Sequence, residues 1–386
     1  MKSVRMGIIG LGNIGLHHAD SLRQSQVEGA VLTAVSDVRP DHAKRWVAEH
    51  GASAEAFDTA EALIDSRACD AVIVATPPPL HPPLAIRAFA RGLHVLVEKP
   101  AGACAADVRA MNAAAVQSGR VFGIQFFHRL YPAYQKAKEL IVAGELGDLQ
   151  RTQWTSTKWY RTQDYYDSGG WRGTWSGEGG GVLVNQSPHD LDVWMWLCGL
   201  PARVRAFCRF GQWHTIEVED DVTAYVEFAN GASGVFICST GEFPGTNRLE
   251  IVGDRGVLAI VDDHRLEFRR VSEPVRKHSR EAKGFSAPAV VPVEISLPDR
   301  LPENIDNTRN FVNAILRGDP LVAPGVEGLN SIELSNAMQL STWLGATIEL
   351  PADADRYRNL LEEKIRGSRV RKPDAVRNLD ITTSWR

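Results

Sequence analysis

Short apolar runs alternate with amphipathic stretches through the first third of the chain. Val4 to Ile9, Val31 to Val35, Ala71 to Ala75, His94 to Val97 and Val121 to Phe127 have the length of buried strands. Helical spacing fills much of the sequence between and after them, at Ile14 to Leu22, Pro83 to Arg91, Ala105 to Ser118 and Pro132 to Ala143. Strands alternating with helices imply right-handed crossovers and an α/β fold with a parallel, doubly wound sheet. Thr76-Pro77-Pro78-Pro79 is expected to stop the third of these strands and to force a loop holding His81.

The texture changes after Gly147. Arg151 to Lys158 alternates like a strand, and an aromatic, glycine-rich stretch follows it. Val204 to Phe210, Val222 to Phe228, Ala232 to Ser239, Arg248 to Val252, Val257 to Val261 and Leu266 to Val271 then read as strands, with turn signals such as Asn230-Gly231 between them. The pattern predicts a second, α+β unit built on a large, open, mostly antiparallel sheet. Lys277 to Ser286 reads as a mobile polar loop, and helices are expected near Glu303–Leu316, Val326–Leu344 and Asp355–Ile365. The boundary is placed so that 1–130 form a dinucleotide-binding domain and 131–386 a substrate-binding and oligomerisation domain, whose last helices can pack back on the first.

Composition narrows the function classes. A chain of 386 residues, 44% hydrophobic, is long enough for two cores. A net charge of −4 without a long basic block argues against nucleic acid as a partner. The densest basic run, Lys364, Arg366, Arg369, Arg371 and Lys372, follows Glu362 and Glu363 at a helix end and reads as a solvated face. Cys69, Cys104, Cys198, Cys208 and Cys238 show neither CxxC pairing nor metal-type spacing, so no metal is expected and a reducing compartment is. With no signal-peptide pattern and no apolar run approaching the ~20 residues of a membrane span, the expectation is a cytoplasmic protein without a membrane partner.

The candidate chemistry sits at strand ends. Gly10-Leu11-Gly12-Asn13-Ile14-Gly15 joins the first strand to the first helix: Gly10 permits a tight turn, Gly12 a close phosphate approach, and Gly15 close helix packing. Asp37 closes the second strand, where its carboxylate can accept from ribose hydroxyls and repel a 2′-phosphate, favouring NAD over NADP; Arg39 is able to tolerate that phosphate. Lys99, in Val97-Glu98-Lys99-Pro100, stands at the carboxyl end of a strand, where open α/β sheets hold ligands. Six of the ten tryptophans lie between Trp154 and Trp196, and the faces of Trp159, Tyr160, Tyr165, Tyr166, Trp171 and Trp175, flanked by Lys158, Arg161, Gln163, Asp164 and Arg172, suit a polyhydroxylated ring. Some of these aromatics are equally well explained as core, Trp194 and Trp196 most of all. Asn185 and His189 lie four apart after Gly179-Gly180-Gly181, which places them on one face if the segment is helical, with Pro188 in a first turn or at a kink.

The glycine fingerprint, Ala75-Thr76-Pro77, Glu98-Lys99-Pro100 and the Gly179–Gly181…His189…Asp192 run together resemble the Gfo/Idh/MocA oxidoreductases over nearly the whole chain. The resemblance implies a Rossmann domain that binds NAD(P) and a C-terminal domain that holds a sugar or cyclitol and forms a dimer or tetramer face. It implies Lys99 and His189 as catalytic residues, with Asn185 beside them where many members, inositol dehydrogenases among them, carry aspartate. It extends the cofactor set to Gly10, Gly12, Asn13, Ile14, Asp37, Arg39, Thr76, Pro77, His81, Glu98, Lys99, Gln125, Trp171 and Arg172. The substrate set becomes Lys99, Tyr160, Arg161, Gln163, Trp171, Asn185 and His189. The aromatic run is similar to that of members acting on glucose-type rings, such as levoglucosan dehydrogenases and glycoside 3-dehydrogenases. The implied reaction is oxidation of a ring secondary alcohol, with His189 as general base and Lys99 on the same oxygen, the order of the two left open. Cyclitol oxidation, a redox-assisted glycosidase and a non-catalytic sensor are the alternatives.

Overall fold

The computed structural model describes residues 3–370. The first sheet is made of β1 (Val4–Ile9), β2 (Ala30–Ser36), β3 (Glu55–Phe57), β4 (Ala71–Val74), β5 (His94–Val97) and β6 (Phe122–Ile124), in the order β3-β2-β1-β4-β5-β6. Every pairing in it is parallel. The chain reverses its winding direction between β1 and β4, so the crevice beyond their carboxyl ends is the place where this topology receives a ligand. Ile8, Ile73 and Leu96 feed one face and Ile9, Val74 and Val97 the other, which is why these strands read as continuous apolar runs.

The second sheet has nine strands: β7 (Leu149–Ser156), β8 (Arg203–Phe210), β9 (Glu219–Glu227), β10 (Ser233–Ser239), β11 (Asn247–Gly253), β12 (Gly256–Val261), β13 (Arg265–Val271), β14 (Val290–Val293) and β15 (Ile348–Glu349). They follow the order β14-β13-β12-β11-β7-β10-β9-β8-β15. Only the β7–β10 pair is parallel. Alternation decides its faces: Val204, Ala206 and Cys208 point into the core while Phe207 and Tyr225 face out. Helix Gly328–Leu344 closes the inner face, and Ser341 Oγ and Thr342 Oγ1 accept from the Ala206 and Cys208 N–H groups at 3.0 and 2.9 Å.

The two halves are stitched late in the chain. Helix Asn304–Arg317 leaves the second half and lays Ile305, Phe311 and Val312 into the cluster beneath β1 and β2. Gln125, just past β6, donates to Thr308 Oγ1 at 2.9 Å and accepts from Asn307 Nδ2 at 3.0 Å.

Several expectations need correction. The loop after β4 is shorter than expected: it spans 75–77, Pro78–Leu80 turns as a 3-10 helix, and Pro82 lies in the first turn of His81–Ala90, where its missing N–H costs nothing, so His81 is helical. A short strand, β3, and helices Pro40–Glu49 and Ala60–Asp65 intervene before β4, which is therefore the fourth strand of the sheet. The run after Val121 is a strand only to Ile124, because Phe127–Leu130 turns as a 3-10 helix. Lys277 to Ser286 is not all loop, since Val275–Glu281 is an exposed helix. Of the basic run, Lys364 lies 4.8 Å from the Trp343 ring centre instead of on a solvated face, and Arg371 and Lys372 lie outside the described residues.

Candidate active site

The loop after β1 is fixed by backbone. Gly10 has φ +94, and a Cβ on Gly15 would sit 1.9 Å from the Gly10 carbonyl oxygen, so helix Asn13–Arg23 can pack here only with glycine. A Cβ on Gly12 would meet nothing within 4 Å, which leaves that side open for a ligand. Asn13 and Ile14 open the helix. Asp37, buried at the end of β2, accepts from Leu11 N–H at 2.9 Å and from Arg39 N–H and Nε at 3.0 Å each. Burial opposes its ionisation, but the Arg39 and Leu11 amides and the Arg39 guanidinium outweigh that and hold the carboxyl below its usual range. The Ser36 and Thr76 hydroxyls are buried without a partner. A polar rim with unused acceptors and donors fits a dinucleotide.

At the end of β5, Glu98 accepts from His18 Nε2 at 2.7 Å and from Lys99 N–H at 3.2 Å, anchoring the backbone that carries Lys99. The Lys99–Pro100 peptide is cis. Lys99 Nζ donates to the Asn185 carbonyl at 2.8 Å, joining the two halves through one side chain. Burial, helped by the charges of Arg161 and Arg172 and opposed by Glu98 and Glu178, pushes the Lys99 ammonium down to about 8. His81 sets both ring nitrogens on carbonyls, Thr76 at 2.6 Å and Pro100 at 2.8 Å, and so ties the β4 loop to the β5 loop. Together with Gln125, whose amide is spent on Asn307 and Thr308, it supports the cradle instead of facing it.

From the second half, Val182–Gln186 forms a π-helical turn and Pro188 then starts helix Pro188–Cys198. Asn185 and His189 therefore do not share one helical face as expected; the Asn185 carbonyl meets Lys99 while its side-chain amide turns to Glu178 and the Tyr165 hydroxyl. His189 is buried, and neither ring nitrogen has a hydrogen-bond partner. It stacks on His128 with centroids 4.2 Å apart at 16°, and His128 stacks on Tyr131 at 4.7 Å. Burial, then the charges of His128, Lys99 and Lys158, push the His189 imidazolium well down, so the ring is neutral. Burial likewise pushes His128 down to about 3. Lys158 is held charged against burial by Asp190 and Asp263, with its Nζ 2.6 Å from Asp263 Oδ2.

Two groups that sequence reasoning passed over complete the site. Glu178, buried, accepts from Gly173 N–H at 2.7 Å and from the Asn185 amide. Burial pushes its carboxyl up to about 7, against the pull of Arg172. Its signal in the sequence is slight: an acid wedged between Trp175-Ser176-Gly177 and three glycines. His128 follows Phe126-Phe127 in the 3-10 turn after β6, one strand over from the β5 end that carries Lys99, and only the fold stacks it on His189.

The remaining candidates divide. Tyr165 OH accepts from Arg172 Nη1 at 2.7 Å, and the Arg172 guanidinium lies 4.4 Å from the Trp171 ring centre and 4.5 Å from that of Tyr165. Arg161 lies 5.2 Å from the Tyr165 ring centre. Gln163, expected on substrate, instead accepts from Thr215 N–H at 2.8 Å and donates to Asp167 at 3.1 Å. Tyr160 is exposed and packs on Phe243. Trp159, Tyr166, Trp175 and Trp194 are core. Among the described residues no cluster of His, Cys, Asp and Glu could hold a metal, and no helix is long and apolar enough to cross a membrane.

Comparison with known proteins agrees with this architecture. The chain is 30% identical over 264 residues to scyllo-inositol 2-dehydrogenase (NAD(+)) of Bacillus subtilis strain 168, covering 67% of this chain and 73% of that protein. It is 28% identical over 248 residues to D-glucoside 3-dehydrogenase of Escherichia coli K12, covering 59% and 68%. The crystal structure of the WlbA dehydrogenase from Bordetella pertussis in complex with NADH and UDP-GlcNAcA superposes with a TM-score of 0.77 at 26% identity, over 92% of this chain and 99% of that one. Residues 4–126 match the oxidoreductase family with an NAD-binding Rossmann fold and residues 134–259 the GFO/IDH/MocA C-terminal domain, so the chain belongs to the Gfo/Idh/MocA family of NAD-binding oxidoreductases.

Proposed function

We propose that the protein oxidises a ring secondary alcohol, at C3, of a pyranose, an anhydrosugar such as levoglucosan, or a glycoside, giving the keto sugar. The observation that carries this is the buried, neutral His189 with both ring nitrogens free, close enough to feel the charge of a lysine whose ammonium titrates near 8. Gly10, Gly12, Asn13, Ile14, Asp37 and the Thr76-Pro77 turn would hold NAD. When bound, its nicotinamide supplies the acceptor for the hydride leaving the carbinol carbon. The chain's own residues handle the hydroxyl proton.

We order the two candidate bases by their readiness to take a proton. A histidine held neutral far below its ordinary range is a poor proton acceptor near neutrality, whereas Lys99 has a free amine fraction at working pH. We assign proton acceptance to Lys99 and orientation of the hydroxyl to His189. Asn185 holds the amine through its carbonyl and is itself fixed by Glu178. Arg172 and Trp171 would form the wall between cofactor and ring. Five free cysteines fit a reducing, cytoplasmic setting, and the outward Phe207 and Tyr225 favour a homodimer or homotetramer through the second sheet.

The test is NADH absorbance on mixing the protein with NAD and levoglucosan, methyl glucosides, glucose, xylose or myo-inositol, with NADP in parallel. NADH is expected with a pyranose, and its rate should climb with pH through about 8, because Lys99 must be unprotonated to act as a base. Silence with every one of these and with methyl β-D-glucuronide removes the proposal; a rate that falls through the same window removes the Lys99 assignment.

A further inference from the structure

The cations around Lys99 do not balance. Lys99 is countered by the adjacent Glu98, Arg172 is opposed by Glu178, and Lys158 pairs with Asp263 and Asp190. Arg161 makes no ion pair with any carboxylate of the described residues, although its charge reaches Lys99 and helps to depress its ammonium. Its Nη1 donates to the neighbouring Tyr160 carbonyl at 2.8 Å, while Nε is buried without any acceptor. A buried guanidinium N–H left unmade is costly, and charged groups pay more than neutral ones.

The residue is also held in advance of any ligand. Its N–H donates to the Thr240 carbonyl at 2.9 Å, and its own carbonyl accepts from His214 Nε2 at 2.8 Å. His214 is fixed in turn by Asp220 at 3.1 Å. The guanidinium lies 5.8 Å from the Trp159 ring centre and 5.2 Å from that of Tyr165. Phosphates have their own cradle in the glycine loop of the first sheet, far along the chain from this segment.

We propose that the substrate carries a carboxylate on its sugar ring, as a uronic acid or uronide does, and that Arg161 receives it. This rests on the dehydrogenase reading above for the oxidised carbon, but concerns a different atom of the substrate. A planar guanidinium with an unused N–H matches a carboxylate in charge and shape. A phosphate ester would present the same charge, and a separate arm of the test distinguishes it.

The experiment titrates the full chain, loaded with NADH, by calorimetry with methyl β-D-glucoside, methyl β-D-glucuronide and glucose 6-phosphate. The first two rings differ only in the carboxylate. The glucuronide is expected to bind about 10- to 100-fold more tightly than the glucoside, the range of a charge-assisted hydrogen bond. In Arg161→Gln that ratio should fall to near one, and Arg161→Lys, which keeps the charge, should recover part of it. Equal binding of the two glycosides, a preference that survives in Arg161→Gln, tighter binding of the phosphate, or a variant that loses NADH instead of the glucuronide would each overturn the proposal. NADH formation recorded in parallel separates the two readings: oxidation of neutral glycosides alone leaves the dehydrogenase and removes the carboxylate, whereas Arg161-dependent binding without turnover does the reverse.

Discussion

The glycine loop after β1 and the segment from Trp159 to His189 are built from different materials. The loop is backbone: a positive φ at Gly10 and a helix that packs only because Gly15 lacks a Cβ. The aromatic segment is side chain: Arg172 stacked on Tyr165, Asn185 aimed by Glu178, His189 stacked on His128. A site made of backbone accepts whatever shares one shape, here a dinucleotide. A site made of side chains can be retuned residue by residue, which would suit the substrate-selecting role proposed for the second half.

If that division holds, damage at the seam should separate chemistry from cofactor binding. Lys99→Ala is expected to lower kcat by ~10²–10⁴-fold while NADH affinity, followed by fluorescence, is largely kept. Comparable losses in both would show that the halves are not separable. The next largest effect is on stability. The Glu178 carboxyl titrates near 7 in the fold against an ordinary 4.5, so the native state holds a proton the unfolded chain has lost between those values. Native stability therefore falls as pH rises through that window, by ~3 kcal/mol for this group. Glu178→Gln should gain in Tm relative to the parent between pH 5 and 8, and a difference independent of pH would remove the assignment. The smallest effect belongs to the backbone-built half: Asp37→Ala should weaken NAD about tenfold while leaving NADP nearly unchanged, and equal losses would dismiss its contact with ribose.

The same division explains what could be read in advance. Gly10, Gly12, Gly15 and Asp37 act through contacts set by the local strand–turn–helix unit, so their spacing along the chain carries their meaning. Lys99 is legible for a related reason, since a strand end is recognisable without knowing its neighbours. Glu178 and His128 are not, because each matters only through a partner on another element, Asn185 and His189. His81, Gln125 and Gln163 mislead in the opposite sense: polar residues near a site look like ligand contacts until the fold gives their donors and acceptors to carbonyls, amides and hydroxyls. The helical pairing of Asn185 with His189 failed because a π-helical turn adds a residue to the register, and nothing in Val182–Gln186 announces it.

The helix Asn304–Arg317 gives the chain a problem of timing. All six strands of the first sheet have left the ribosome once residue 124 emerges, but Ile305, Phe311 and Val312, which complete the cover of one of its faces, come much later. Thr308, the partner of the Gln125 amide, is 183 residues downstream. At ordinary rates of synthesis this is a delay of roughly ten to forty seconds. Through that interval the nucleotide-binding half carries an uncovered apolar surface, so a truncated product that ends before this helix is the form most in need of a chaperone.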